Sequence, residues 1–322
     1  MRMSLDVVLA GSLLVFAAVV SVVVILPGLT ISDKPSADYR PRTELENGGR
    51  DIYVANGCTY CHSQYVRWID WGLGAERVAL SGDYIAEQPH LLGSERTGPD
   101  LSQEGGEHPD DWHGAHFYNP RHTRPESIMP PFAFLESNQL EALIAYVQSL
   151  GFKYADARME RQRKWKKLSV EAFEGGTEAN IEWLHEQVPE PWRELPNPYP
   201  TTRAGLERGK RIYQGFCIGC HGEVGDGMGP AAARLYPPPL NFTTLNGRGA
   251  TGGILYYQIM NGITGTAMPY FKRELESEKI WDVSNYVAEQ FMDVVDANKE
   301  PKGIDAAFEP VDKTPKKPKK AK

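Results

Sequence analysis

Residues Val7 to Leu26 form an uncharged run of twenty, VVLAGSLLVFAAVVSVVVIL, with no polar face. As a helix rising about 1.5 Å per residue, such a run matches a bilayer core of about 30 Å, and it is the one membrane-spanning candidate in the sequence. Elsewhere the apolar positions recur on one helical face only. Leu140, Leu143, Ile144 and Val147 predict one amphipathic helix, and Ile280, Val283, Val287 and Phe291 predict a second. Tyr146-Val147 and Tyr286-Val287 hold corresponding places in the two. Each helix follows a Met-Pro pair, Met129-Pro130 and Met268-Pro269. Further upstream, Gly49-Arg50-Asp51-Ile52-Tyr53 is echoed by Gly209-Lys210-Arg211-Ile212-Tyr213, so the two halves read as copies of one domain type. Between them, residues 153 to 185 predict two helical stretches, and the five prolines of residues 189 to 200 predict a stiff, extended linker that holds the second half away from the first.

The expected architecture is therefore mainly α. An N-terminal transmembrane helix and spacer (1–43) precede a first domain (44–152), a charged helical then Pro-rich linker (153–201), a second domain (202–294) and a disordered Lys/Pro-rich tail (295–322). A length of 322 residues agrees with about two domains.

Charge changes this picture at the ends. The last ten residues hold six lysines and no acid; subtracting them from the formal net charge of −7 leaves −13 elsewhere. The tail reads as a solvated end, with contact to anionic headgroups or an acidic partner as the alternative. The basic helix with Arg158, Arg161, Arg163, Lys164, Lys166 and Lys167 reads likewise as a solvated face, with a docking surface as its alternative. A cleaved signal peptide competes with the anchor reading, but the apolar run is long for one and no small-x-small site follows Pro27. Arg2, Asp6, Asp33 and Lys34 are too few to orient the helix by charge.

The chemistry lies in the cysteines. All four occur in two copies of one pattern, Cys58-Thr59-Tyr60-Cys61-His62 and Cys217-Ile218-Gly219-Cys220-His221, 159 positions apart. Two thiols three positions apart reach the two vinyl groups of one porphyrin, and the following histidine places an imidazole beneath the iron. With 4 Cys and 8 His in the chain, about 0.001 such matches are expected by chance. A zinc site or a thioredoxin-like pair leaves the histidines unexplained. Two covalently bound haems c are expected, with His62 and His221 as proximal ligands. Such haems are attached outside the cytoplasmic membrane, which places the bulk of the chain on the periplasmic side of a bacterial inner membrane.

A soft thioether suits the sixth position and raises the reduction potential. Met129 is the sole methionine between His62 and the end of its domain helix, and Met268 shares its Met-Pro context, unlike Met228 and Met260. Two six-coordinate irons leave no open site for a reactant, which favours electron transfer over a dihaem peroxidase. Gly98-Pro99-Asp100-Leu101 resembles the cytochrome c loop whose proline carbonyl accepts a hydrogen bond from the proximal imidazole, which implies that role for Pro99 towards His62 and for Pro239-Leu240 towards His221, a plain turn being the alternative. His113, His116 and His122 cluster in DWHGAHFYNPRH. Hydrogen bonding to haem propionates or an interface role is expected of them before a metal site.

The order of helix, C-x-x-C-H, loop, methionine and final helix resembles the class I cytochrome c fold. GRDIYVANGCTYCHSQYVR, GSERTGPDL and DWHGAHFYNPRHTRPESIMPPFAFL resemble the mono-haem cytochrome c subunit of cbb-type haem-copper oxidases, the FixO or CcoO family. The resemblance covers the anchor and residues 44 to 150. It implies that Cys58, Cys61, His62 and Met129 hold a haem passing electrons to a polytopic haem-copper catalytic subunit. The stretch from Trp68 to Leu92 departs from the family. So does the second half, where GFCIGCHGEVGDGMGPAAARLYPPPLNF and GTAMPYF are similar to the domains of the dihaem subunit of the same oxidases (FixP or CcoP). The implied activity is a relay from a soluble or membrane-bound donor cytochrome to the oxidase. A cytochrome subunit of a nitric oxide reductase or a dehydrogenase is the alternative, and nucleic acid is not expected among the partners.

Overall fold

The computed structural model describes residues 4–30, 34–73, 78–93, 96–199, 201–245 and 251–292. The Lys-rich tail lies outside the described residues. Among those described the chain is helical, without strands.

Helix α1, Leu5–Thr30, carries Asp6 in its first turn, is uncharged beyond it and buries nothing. It widens to a π turn over Ser21–Ile25, just ahead of Pro27, whose ring removes one backbone donor from the ladder. The first half then contributes α2 (Glu44–Ala55), α3 (Asp110–Tyr118) and α4 (Ser137–Gln148). The connection holds α5 (Phe152–Glu174) and α6 (Thr177–Glu186). The second half follows with α7 (Arg203–Ile212), α8 (Gly252–Asn261) and α9 (Ser277–Val287).

Helix α2 begins at a capping box, in which Thr43 accepts from the Glu46 amide and Glu46 from the Thr43 amide. It crosses α4 at Gly49, where a Cβ would lie 1.8 Å from the Ala142 carbonyl oxygen. The second half repeats this crossing. At Gly209 of α7 a Cβ would lie 2.3 Å from the Asp282 carbonyl oxygen of α9. The repeated tyrosines pack behind each crossing, Tyr53 on Tyr146 at 5.2 Å and Tyr213 on Tyr286 at 5.6 Å between ring centroids. The repeated Gly-x-x-x-Tyr is thus a crossing signature, with a glycine for backbone approach and a ring to fill the space beside it.

The stretch from Trp68 to Leu92 is tied to the first half by ion pairs. Its Glu87 is buried between Arg42 and Arg50, and Asp70 joins Arg67 and Arg96.

The linker departs from the sequence expectation. Residues 153 to 185 are helical as the pattern predicts, but the proline-rich segment does not run out as a spacer. Glu190–Arg193 forms a helical turn whose Trp192 ring stacks on Tyr256 at 6.0 Å and meets Tyr257 at 5.4 Å. The two halves are in contact. Trp112 and Ala115 of α3 share a buried cluster with Ala231, Leu235 and Ala267. Proline fixes φ but not the direction in which a segment is drawn, and apolar burial draws this one inward. The basic helix α5 is exposed at Arg161, Arg163, Lys164 and Lys167, as the sequence suggests, and braces the two halves along its other side. Arg158 donates to the Gly105 and Gln103 carbonyls, Gln162 accepts from the Gly265 amide at 3.0 Å, and Ser169 donates to the Gly265 carbonyl at 3.0 Å.

Candidate functional site: two cysteine-histidine motifs

The first motif turns tightly from Gly57, at φ 70°, through a 3-10 turn over Cys58–Tyr60. His62 Nδ1 lies 2.9 Å from the Pro99 carbonyl oxygen. A carbonyl can only accept, so Nδ1 carries the proton and the Nε2 lone pair is left for a metal. Gly98 lies against the ring, where a Cβ would stand 2.4 Å from Cε1. Cys58 and Met129 pack on one apolar cluster that includes Tyr53, Leu91, Phe117 and Leu143.

The second motif is built alike. Here the carbonyl facing the histidine is that of Leu240, 3.4 Å from His221 Nδ1, and the Phe242 ring stacks on the imidazole at 4.5 Å. Cys217, Cys220, His221 and Met268 line one cavity, mostly apolar, of about 1210 Å³ counted to its open mouth. Pro239 and Leu240, singled out in the sequence, line it too, but other lining residues were not foreseen. Asn180, Trp183 and Leu184 come from α6, and Trp112 and Thr123 from the first half. No spacing rule flags these, because they belong to segments outside the second copy of the domain.

Electrostatics suits this donor set to covalent haem. Burial pushes the Cys58 thiol up to about 11 and those of Cys217 and Cys220 up to about 12, as apolar surroundings do to a thiol. Burial also pushes the His221 imidazole down to about 4, leaving a neutral ligand. Two thiols, an imidazole and a thioether sulfur beside a mostly apolar space form a donor set that fits a covalently attached haem.

The histidine cluster sits between the halves. Burial lowers His113 to about 4; its Nε2 is 3.7 Å from Glu104 Oε1. Burial, then the neighbouring His113 and His108, lowers His116 to about 3, and His116 Nδ1 is 2.6 Å from Thr123 Oγ1. Trp112 is stacked between His108 and His116, with centroid distances of 3.8 and 4.7 Å. Among the described residues no group of histidine, cysteine and acidic side chains is placed to hold a metal ion.

Two family models match the chain: cytochrome c oxidase, mono-heme subunit/FixO, over residues 3–172, and cytochrome c oxidase, cbb3-type, subunit III, over residues 204–287. Among curated proteins, none matches the sequence. A chain of the Kuenenia stuttgartiensis reducing HAO-like protein complex is 21% identical, over 80% of this chain and 98% of that one. Its TM-score of 0.28 is too low for the likeness to carry weight. The FixO match spans more than half of the 322 residues and ends within α5, beyond the first motif and Met129. The chain accordingly belongs to the FixO family, the mono-haem subunits of cbb3-type cytochrome c oxidase, and is an electron-transfer subunit with covalently bound haem c that carries a subunit III-type cytochrome domain after its FixO region.

Proposed function

We propose that the chain binds two haems c and relays electrons from a donor cytochrome, by way of the second domain and then the first, to the haem-copper catalytic subunit of a cbb3-type oxidase. Cys58, Cys61, His62 and Met129 hold one haem, within a domain of residues 44–152. Cys217, Cys220, His221 and Met268 hold the other, within residues 202–294. When bound, each haem supplies a one-electron ferric/ferrous couple. The protein's part is to attach it, orient the imidazoles through the Pro99 and Leu240 carbonyls, offer a methionine sulfur and exclude water. Helix α1 anchors the chain, with both haem domains on the periplasmic side.

The observation that carries the reading is the convergence on one mostly apolar cavity of Cys217, Cys220, His221 and Met268, four residues outside the FixO match. A chain with a single haem would have no use for this second site.

The test is haem content and redox titration of the purified chain. Two haems per chain are expected. Met129→His and Met268→His should each lower one midpoint potential, on the order of 0.2 V within the ~0.8 V that axial ligands command, and leave the other in place. One haem per chain, or rapid carbon monoxide binding to the unmodified protein, would overturn the relay.

A further inference from the structure

The two attachment motifs differ at one position in a way that the structure makes consequential. Tyr60 precedes the second cysteine of the first motif, and Gly219 precedes that of the second. Tyr60 stands in solvent, 80% exposed. Gly219 is buried under the first half of the chain, and a Cβ on it would lie 2.2 Å from the His122 carbonyl oxygen. The next residue, Cys220, packs on the cluster of Trp112, Ala115 and Ala231. The turn that receives Gly219 leads straight to the other site, since Arg121 Nη1 donates to the Met129 carbonyl at 3.4 Å. Around this contact the halves are pinned. Arg124 forms a two-pronged ion pair with Glu274 while its guanidinium lies 5.2 Å from the Phe216 ring centroid. Arg234 lies 3.5 Å from the centroid of Tyr118, and Tyr270 donates to Glu107 at 3.1 Å.

We propose that Gly219 turns the second attachment motif into an internal docking face for the 119–124 turn, so that electrons leave the second site directly into the first and no outside partner uses that face. The inference rests on the two-haem reading above. Thioether bonds hold a porphyrin edge within a few bonds of Cys217 and Cys220, so whatever covers these residues is the nearest matter to that edge. One electron leaves the reduced second site and one enters the oxidised first site; no bond or proton moves. In the first motif the same position carries an exposed tyrosine, and that face stays open. A side chain at 219 would force the backbones apart, because the atom it meets is a carbonyl and not the end of a flexible side chain.

The experiment uses the full-length, haem-loaded, detergent-solubilised chain. Haem content is measured first. Then the rate of electron equilibration between the sites after photoreduction is read alongside amide hydrogen exchange of residues 119–124 and 218–222. Gly219→Tyr should slow equilibration at least tenfold and raise exchange in both segments by a similar factor, with both midpoint potentials kept. Arg124→Glu should slow it in the same sense, and adding Glu274→Arg should restore it, a rescue that mere loss of folding would not allow. Two haems with unchanged equilibration and exchange in both Gly219→Tyr and Arg124→Glu would overturn the docking face while leaving the relay intact. A content of one haem would overturn both.

Discussion

The buried histidines give a proton-dependent term that belongs to single residues. His113 is 2% exposed, and burial, against the opposing pull of Glu104, takes it from 6.5 to about 4. Between those values the unfolded chain binds a proton that the folded chain refuses, so stability falls as pH drops from 6.5 towards 4 and is unaffected by this group above 6.5. The limiting slope for one such group is about 1.4 kcal/mol per pH unit. His113→Phe should flatten the fall in thermal midpoint over that window, and an unchanged slope would assign the acid sensitivity elsewhere. At this scale the candidate attachment residues stand out in the sequence because the motif is local: spacing alone brings Cys58, Cys61 and His62 together. The role of Gly219 was not legible, since a glycine inside C-x-x-C-H takes its meaning from the backbone opposite, which lies almost a hundred positions away at His122.

Among elements, the helix crossings carry most of each half's order. Both rest on a glycine facing a carbonyl, Gly49 on Ala142 and Gly209 on Asp282. A methyl group at either place meets backbone and forces the helices apart. Gly49→Ala and Gly209→Ala should each destabilise the chain by about 1–3 kcal/mol, seen as a lower denaturation midpoint with haem still attached. Equal stability in both variants would show that the crossings yield without strain. The amphipathic periodicity foretold α4 and α9, because Leu143, Val147, Ile280 and Val283 each face a core and leave a period of 3.6. The fate of α5 was hidden by its charges. Arg158 reads as solvated, yet the residue is 7% exposed and its guanidinium donates to main-chain carbonyls; a cation that caps carbonyls looks in sequence like one that faces water.

For the whole molecule, the prolines of residues 189–200 implied separation, and the structure shows contact instead. The contact is built from residues scattered over more than a hundred positions, such as Trp112 with Ala231, Tyr236 with Asp111 and Arg124 with Glu274, and none of these pairs leaves a period. A tethered second half would meet the first by diffusion, at an effective concentration set by the linker. A docked half does not need to search. Inter-site equilibration should therefore be unchanged when glycerol raises solvent viscosity severalfold, whereas a rate falling in proportion to viscosity would indicate a swinging domain. The ion pairs across the contact are partly exposed and contribute little singly, so added salt should not release a junction whose centre is apolar.

The segment from Ser36 to Arg40 shares this economy of motion. The Ser36 amide donates to the Gly82 carbonyl, the Lys153 amide to the Asp38 carbonyl, and Arg40 is gripped by both Glu46 and Asp156. Tied at Ser36, Asp38 and Arg40, this segment moves with the first half as one body, so that a pull on either is felt by both.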